Sequence, residues 1–244
     1  MTAPTIAVLS DIHAVLPALE AVLAEPDVRS ADVIALTGDI ASGPLPVQTL
    51  DALTALGERA LWIAGNGERE LVESRGGKET SDAVTTWAAG RLRDDQVALL
   101  AGLPPTATVG STLFCHATPR DDEEMVLVDS RPQRWADVLA GLPPEVETVV
   151  CGHTHMPYVR LTHGRLVVNP GSVGMPYGRP GAHWALLTAQ GVSLRRTPYD
   201  YAAACARIAA ESGFPDAAAW ADEYVHARNS AEEALAVFGP LDGR

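Results

Sequence analysis

The sequence predicts an α/β fold in which two sheets pack face to face with helices outside. Three observations predict it. Short apolar, β-rich runs alternate with helix-spaced segments over residues 5–64, the layout of parallel strands joined by crossover helices. From residue 107 the pattern changes to pairs of strand-like runs around Gly-containing turns. The stretch 199–239 is Ala-rich with helical periodicity. By length alone, 244 residues make one large domain or two small ones. No linker, internal repeat or low-complexity tract is visible, so we expect one domain over 1–244 with a helical tail at about 199–239.

Residues 5–10 (TIAVLS) read as a buried strand, and 17–24 as a helix. Residues 33–37 (VIALT) form the second expected strand, 47–56 a helix ended by Gly57, and 60–64 (ALWIA) the third strand. Residues 69–103 lose the strand signal. Ser81 or Asp82 can cap a helix through Arg93, and Asp94 another through Leu100, before Leu103-Pro104-Pro105 closes the segment. Three hairpins are expected around Gly110-Ser111, His163-Gly164 and Gln190-Gly191, so the second part reads as mostly hairpins. A helix near 132–140 precedes a further buried strand at 148–151. Gly213-Phe214-Pro215 divides the tail into two helices, with Trp220 and Tyr224 one helical step apart and fastening it to the body.

Composition narrows the function classes. The chain is 47% apolar and 20% charged, ordinary for a soluble globular protein. The net charge of −13, with no basic run, argues against broad contact with nucleic-acid backbones. A small anionic substrate is still allowed, because bound cations would dominate the local field. No run approaches membrane-spanning length, and the N-terminus lacks a cationic leader and enters a strand directly. Cys115, Cys151 and Cys205 show no C-x-x-C spacing and read as free thiols, Cys115 and Cys151 buried, in a reducing cytoplasm.

Four motifs then follow the strand-like runs in order: Asp11-Ile12-His13, Gly38-Asp39, Gly65-Asn66 and Gly152-His153-Thr154-His155. His116 lies between the third and fourth. Ligand sites of α/β sheets lie at the carboxyl ends of strands. If the strands continue through them, Asp11 and His13 point to one side, as do His153 and His155. Oxygen and imidazole donors without thiolate suit hard or borderline divalent metals in hydrolysis. His163, His183 and His226 read as structural or solvated, the acidic run 121–124 as a solvated helix start, and Ser172 as a turn residue.

This ordered set resembles the calcineurin-like metallophosphoesterase superfamily, above all its small stand-alone bacterial and archaeal phosphodiesterases. The likeness covers roughly residues 5–200. It includes Asn169-Pro170-Gly171-Ser172-Val173-Gly174, and Tyr199-Asp200 near the C-terminus. The resemblance implies a four-layer α/β/β/α sandwich of two mixed sheets flanked by helices. It implies two divalent metal ions, one held by Asp11, His13, Asp39 and His155, the other by Asp39, Asn66, His116 and His153. Asp39 would bridge them, and a shared hydroxide would attack phosphorus with no covalent enzyme intermediate. Asp39, Asn66 and His116 would carry the chemistry, with Asn66 at the substrate phosphate; Arg120, close to His116 in sequence, reads either as a second phosphate contact or as an exposed surface residue. Mn is the favoured metal, and Fe, Ni, Co and Zn accept the same ligands.

Three departures from the family qualify this. The usual His after Asn66 is replaced by Gly67, with Glu68 next. General-acid help is worth about 10²- to 10⁴-fold, so poor leaving groups should be cleaved slowly and Gly67→His should help. Glu68 reads as a hydrogen-bonding partner of the site rather than as the missing donor. Ala14-Val15 stands where Gly-Asn is common, removing a polar group near the phosphate. The Arg that protein phosphatases and symmetrical diadenosine tetraphosphatases carry after Gly-Asp is absent, which ranks those activities lower.

The expected function is therefore a phosphodiesterase acting on a small-molecule phosphate ester. The alternatives are a phosphomonoesterase or nucleotidase, a nuclease, and a binding scaffold that has lost turnover. Scaffolds with this fold usually lose several ligands, and this chain keeps all seven. A nuclease would need a basic partner. No nucleic-acid or membrane partner is expected; oligomeric state stays open, a small homo-oligomer being common for such folds.

Overall fold

The computed structural model describes residues 3–80 and 82–243. Strand β1 (Ile6–Leu9) leads into helices α1 (Leu16–Leu23) and α2 (Pro26–Ser30). Strand β2 (Val33–Thr37) precedes α3 (Pro46–Thr54), and β3 (Ala60–Ile63) precedes α4 (Asn66–Arg75), α5 (Ala83–Arg91) and α6 (Asp94–Ala101). The hairpin β4 (Thr106–Val109) and β5 (Thr112–Cys115) is followed by α7 (Pro132–Val138) and β6 (Thr148–Val150). Then come β7 (Tyr158–Thr162), β8 (Arg165–Asn169), β9 (Ala182–Thr188) and β10 (Gly191–Thr197), and the tail helices α8 (Tyr201–Glu211), α9 (Ala217–Tyr224) and α10 (Ala231–Phe238).

The strands make two mixed five-stranded sheets, ordered β10-β9-β1-β2-β3 and β4-β5-β6-β8-β7. Period-two alternation decides which way each buried side chain goes. Ile6 and Val8 of β1 point between the sheets, where they meet Ala35, Phe114, Val150 and Val168. Ala7 and Leu9 point the other way, into the layer of α1, α3 and the tail helices. On the far face of the second sheet, Trp135 and Val138 of α7 cover Leu113, Val149 and Val167. The layers are therefore α/β/β/α. Burying an aliphatic side chain such as Val8 is worth about 1.5–3 kcal/mol, so the inter-sheet core clamps the two halves together directly beneath the loops that follow β1, β2, β5 and β6.

Several expectations need correction. The three expected hairpins form, as β4/β5, β7/β8 and β9/β10; what the turn signals do not reveal is that β5, β6 and β8 run parallel, and that the β9/β10 hairpin crosses to the first sheet, where β9 pairs antiparallel with β1. Helix α4, which no strand or helix reading anticipated, starts at Asn66. Asp82 caps α5 by accepting from the Val84 N–H; Ser81 lies outside the described residues. Asp94 is the first residue of α6 rather than its cap, a place where its charge still favours the helix dipole. The tail holds three helices, because Ser230 and Glu233 form a capping box that starts α10. Residues 121–124 form no helix. Asp122 and Glu123 are held by Arg69, and Glu124 by Arg120 and Arg134. Among the described residues no helix is long and apolar enough to cross a membrane.

Candidate metal centre

The loops after β1, β2, β3, β5 and β6 bring all seven singled-out side chains together. Asp11 Oδ1 lies 3.3 Å from His155 Nε2, and His13 Nε2 lies 3.1 Å from the same nitrogen. His13 Nε2 is 3.7 Å from Asp39 Oδ2, while Asp39 Oδ1 is 3.4 Å from His116 Nε2. Asn66 Oδ1 is 3.0 Å from His116 Nε2, and the His116 and His153 rings are 5.1 Å apart. Two groups of donor atoms result, Asp11/His13/His155 and Asp39/His116/His153. His153 and His155 thus serve different groups. The expectation that strand alternation would present them together fails because both strands stop short of the motifs.

Left-handed backbone does the work instead. Asp11, His13, Asp39, His153 and His155 all have φ between 47° and 66°. Such a conformation costs a non-glycine residue roughly 1–3 kcal/mol and persists only where its surroundings enforce it. Here the backbones enforce one another. The N–H groups of Asp11, His13 and Ala14 donate to the carbonyls of Gly38, Asp39 and Ile40. The His153 N–H donates to the Asp11 carboxylate at 3.1 Å. From behind, the 169–174 loop braces both. Asn169 donates to the Gly152 carbonyl, Ser172 Oγ donates to the Asp11 carbonyl at 2.7 Å, and Gly174 N–H reaches the same carbonyl. Ser172 is therefore a buried brace, consistent with its reading as a turn residue.

Gly38 does more than admit a ligand. A Cβ there would meet His116 Nδ1 at 2.5 Å and the Gly65 backbone at 2.8 Å. Three ligand loops can touch only because no side chain stands between them. Glu68, buried, holds the same junction. One of its oxygens accepts from the N–H groups of Asp39 (2.8 Å) and Gly65 (2.9 Å), the other from Ile40 (2.8 Å) and Ala41 (3.3 Å). Burial, then the Asp39 charge, pushes its carboxyl up to about 7.

The donor chemistry fits divalent cations. Nδ1 of His13, His116 and His155 lies 3.0, 2.8 and 2.7 Å from the backbone carbonyls of Ser42, Thr37 and Met175. Each Nδ1 must donate, so each Nε2 presents a lone pair inward. His13 and His155 then aim two lone pairs at each other over 3.1 Å, an arrangement that calls for a cation or an added proton. Asn66 donates its Nδ2 to Glu70 Oε1 at 3.3 Å, which turns its Oδ1 toward His116. Glu70 escaped the sequence reading; its i,i+4 spacing from Asn66 on α4 was the available signal.

Protonation follows the same geometry. Burial opposes charge on His116, but Asp39 and Asp11 push it up to about 10; His155 is raised likewise, through Asp11. Burial and the neighbouring His116 push His153 down to about 4, and burial lowers His13. Burial would raise Asp11 and Asp39, yet the imidazoles around them hold both carboxyls below the usual range. Without metal, His116 holds a proton beside Asp39, and Asp11 shifts His155 in the same direction. A cation must displace those protons. Loading at pH 7 is therefore expected to release between about one and two protons per chain, and affinity to weaken as pH falls, since protons compete for Nε2. Calorimetric titration in two buffers of different ionisation enthalpy measures the release; none at all would mean that these nitrogens do not take the metal.

The Gly67→His expectation reverses. The Gly67 N–H donates to Asp39 Oδ1 at 2.7 Å, and a Cβ at 67 would lie 2.8 Å from that oxygen. The substitution displaces Asp39, so it is expected to lower metal content and slow every ester, measured by metal analysis beside turnover. Ala14 and Val15 are buried and add no polar group. Arg120 is exposed and bound to Glu124 and to the Asp137 carbonyl; it shares with His116 the lining of a groove of about 310 Å³ beside the cluster, and makes no contact with the cluster itself. His163, His183 and His226 bind Pro132 O, Arg179 O and Asp222, away from the centre.

Comparison with known proteins agrees with this architecture. The calcineurin-like phosphoesterase superfamily domain profile matches residues 5–191. An uncharacterized protein of Methanocaldococcus jannaschii is 26% identical over 207 residues, covering 72% of this chain and 79% of that protein. A metallophosphoesterase structure from Sphaerobacter thermophilus superposes with a TM-score of 0.71 at 25% identity, covering 88% of this chain and 96% of that one. A hypothetical protein from Pyrococcus horikoshii gives a TM-score of 0.77 at 20% identity, covering 93% and 99%, and shows the fold alone.

Proposed function

We infer that this chain, which belongs to the calcineurin-like phosphoesterase superfamily, is a metal-dependent phosphohydrolase acting on a small-molecule phosphodiester. The observation that carries the reading is the position of Asp39, with one carboxylate oxygen toward each group of donors. Asp11, His13, Asp39 and His155 would hold one divalent cation, and Asp39, Asn66, His116 and His153 the other. When bound, the pair supplies an activated water and neutralises phosphoryl charge. The chain's residues fix the ligand positions, and the imidazoles around Asp11 and Asp39 keep both carboxyls ionised against the effect of burial. In the reaction a P–O bond to water forms, the ester P–O bond breaks and the alcohol leaves with a proton.

A diester is favoured over a monoester by charge. The cavity of about 190 Å³ that contains His13, Asp39 and Asn66 is lined also by Glu70 and Asp82 and, among the described residues, by no Lys or Arg. A monoester dianion would bring two negative charges to this acidic wall, whereas a diester carries one charge less. The three cysteines are free, which suits a reducing cytoplasm.

Metal-stripped protein resupplied with Mn²⁺ tests the reading on bis(4-nitrophenyl) phosphate and 4-nitrophenyl phosphate. Metal-restored turnover with the diester preferred supports it. Two bound metals with neither ester cleaved would move the scaffold alternative ahead.

A further inference from the structure

The cavity beside the ligand cluster has a wall that the metals do not need. Trp220 and Tyr224 of α9 line it, facing Glu70 and Asp82, with Met175 alongside. The two rings are 5.0 Å apart and tilted by 55°, forming a corner rather than a flat stack. The corner is held firmly. Ala217 and Ala221 of the same helix are buried in the core, and Trp220 packs against it. The Gly178 N–H also ties the 175–181 loop to Asn229 O of the tail. Burial, then Glu223 and Asp82, raises the Tyr224 hydroxyl, which marks the negative potential along this wall.

Two aromatic rings beside carboxylates, with no Lys or Arg among the described lining residues, form an environment that attracts organic cations and repels anionic groups. A neutral nucleobase would also use the rings, and its N–H donors the carboxylates, but it carries no positive charge for this wall to attract. We propose that this corner binds one alcohol arm of the phosphodiester, that the arm carries an alkylammonium cation of the trimethylammonium type, and that Trp220 is the principal specificity-determining residue. The proposal rests on the phosphodiesterase reading.

The test compares two esters that differ in charge alone: 4-nitrophenyl phosphocholine and its carbon isostere, 4-nitrophenyl 3,3-dimethylbutyl phosphate. Bis(4-nitrophenyl) phosphate is run in parallel on the Mn²⁺-loaded protein. The choline ester should have a kcat/KM about tenfold above the isostere, the size expected of a partly desolvated cation–π contact. The ratio should be kept in Trp220→Phe and fall to about one in Trp220→Leu. Using a ratio within each variant cancels any loss of folded protein. Saturation transfer from the protein to the methyl protons of phosphocholine gives a readout independent of turnover, and should vanish in Trp220→Leu. Equal rates for the two esters, or a ratio unchanged in Trp220→Leu, would overturn the corner while the diesterase reading stands. Failure to cleave bis(4-nitrophenyl) phosphate as well would instead sink the diesterase reading, and the proposal with it.

Discussion

Asp39→Ala is expected to abolish phosphodiester hydrolysis, with kcat falling by more than about 10³-fold, the upper range for removing one electrostatic group from a reactive site. Asp39 faces both donor groups and accepts from the Gly67 N–H. Its loss removes a shared anion and leaves that buried N–H without a partner. Metal content should fall from two ions to one or none. Asp39→Asn separates the effects: it keeps an acceptor for Gly67 but loses the charge, so it should fold as the native chain does and still bind metal poorly. Metal analysis beside steady-state kinetics decides the matter. Turnover within tenfold of the native protein in Asp39→Ala would rule out the shared position.

The second large effect is expected at Glu68, and it is one of stability. Glu68→Ala strands four buried backbone N–H groups, those of Asp39, Ile40, Ala41 and Gly65. A buried donor without a partner costs about 1–3 kcal/mol. With some of them recovered by water in the vacated space, the net loss should be about 4 kcal/mol. Glu68→Gln preserves the shape but turns an –NH₂ donor toward two N–H donors, so it should still cost about 2 kcal/mol or more. Metal affinity should fall about 10- to 100-fold in both, because these N–H groups orient the Asp39 loop. Urea unfolding of metal-free protein reads the first effect and metal titration the second. An unchanged unfolding midpoint in Glu68→Ala would show that the four bonds do not hold the loop.

Much of this was legible in the chain. The apolar runs at 5–10 and 33–37 are buried on both faces, as continuous apolar sequence requires, whereas 60–64 is a half-buried edge strand. The motifs after them mark the strand ends, so the candidate ligands could be named. Their grouping was less visible. Period-two reasoning paired His153 with His155, but that period ends with the strand at Val150, and the loop beyond it obeys its hydrogen bonds to Asp11 and to the 169–174 brace. Carbonyls that set a histidine's tautomer, such as Ser42 O and Met175 O, leave no trace in residue type. Helix α4 was missed because its first turn, Asn66 to Arg69, is polar and carries the site rather than the core. Trp220 and Tyr224 were recognisable as the tail's anchors; that the same rings border the cavity depends on how α9 docks.

The donor groups also have a schedule. Synthesis delivers the chain N-terminus first, and Asp11 emerges long before the His155 that it faces. Even then the Asp11 loop stays unbraced until Ser172 and Gly174 have appeared and β9 has paired with β1. A nascent chain therefore offers a passing metal ion scattered carboxylates and imidazoles, never the complete set. The complete donor set exists only once the two sheets have joined, so the centre assembles with the tertiary fold and not with any one segment of the chain.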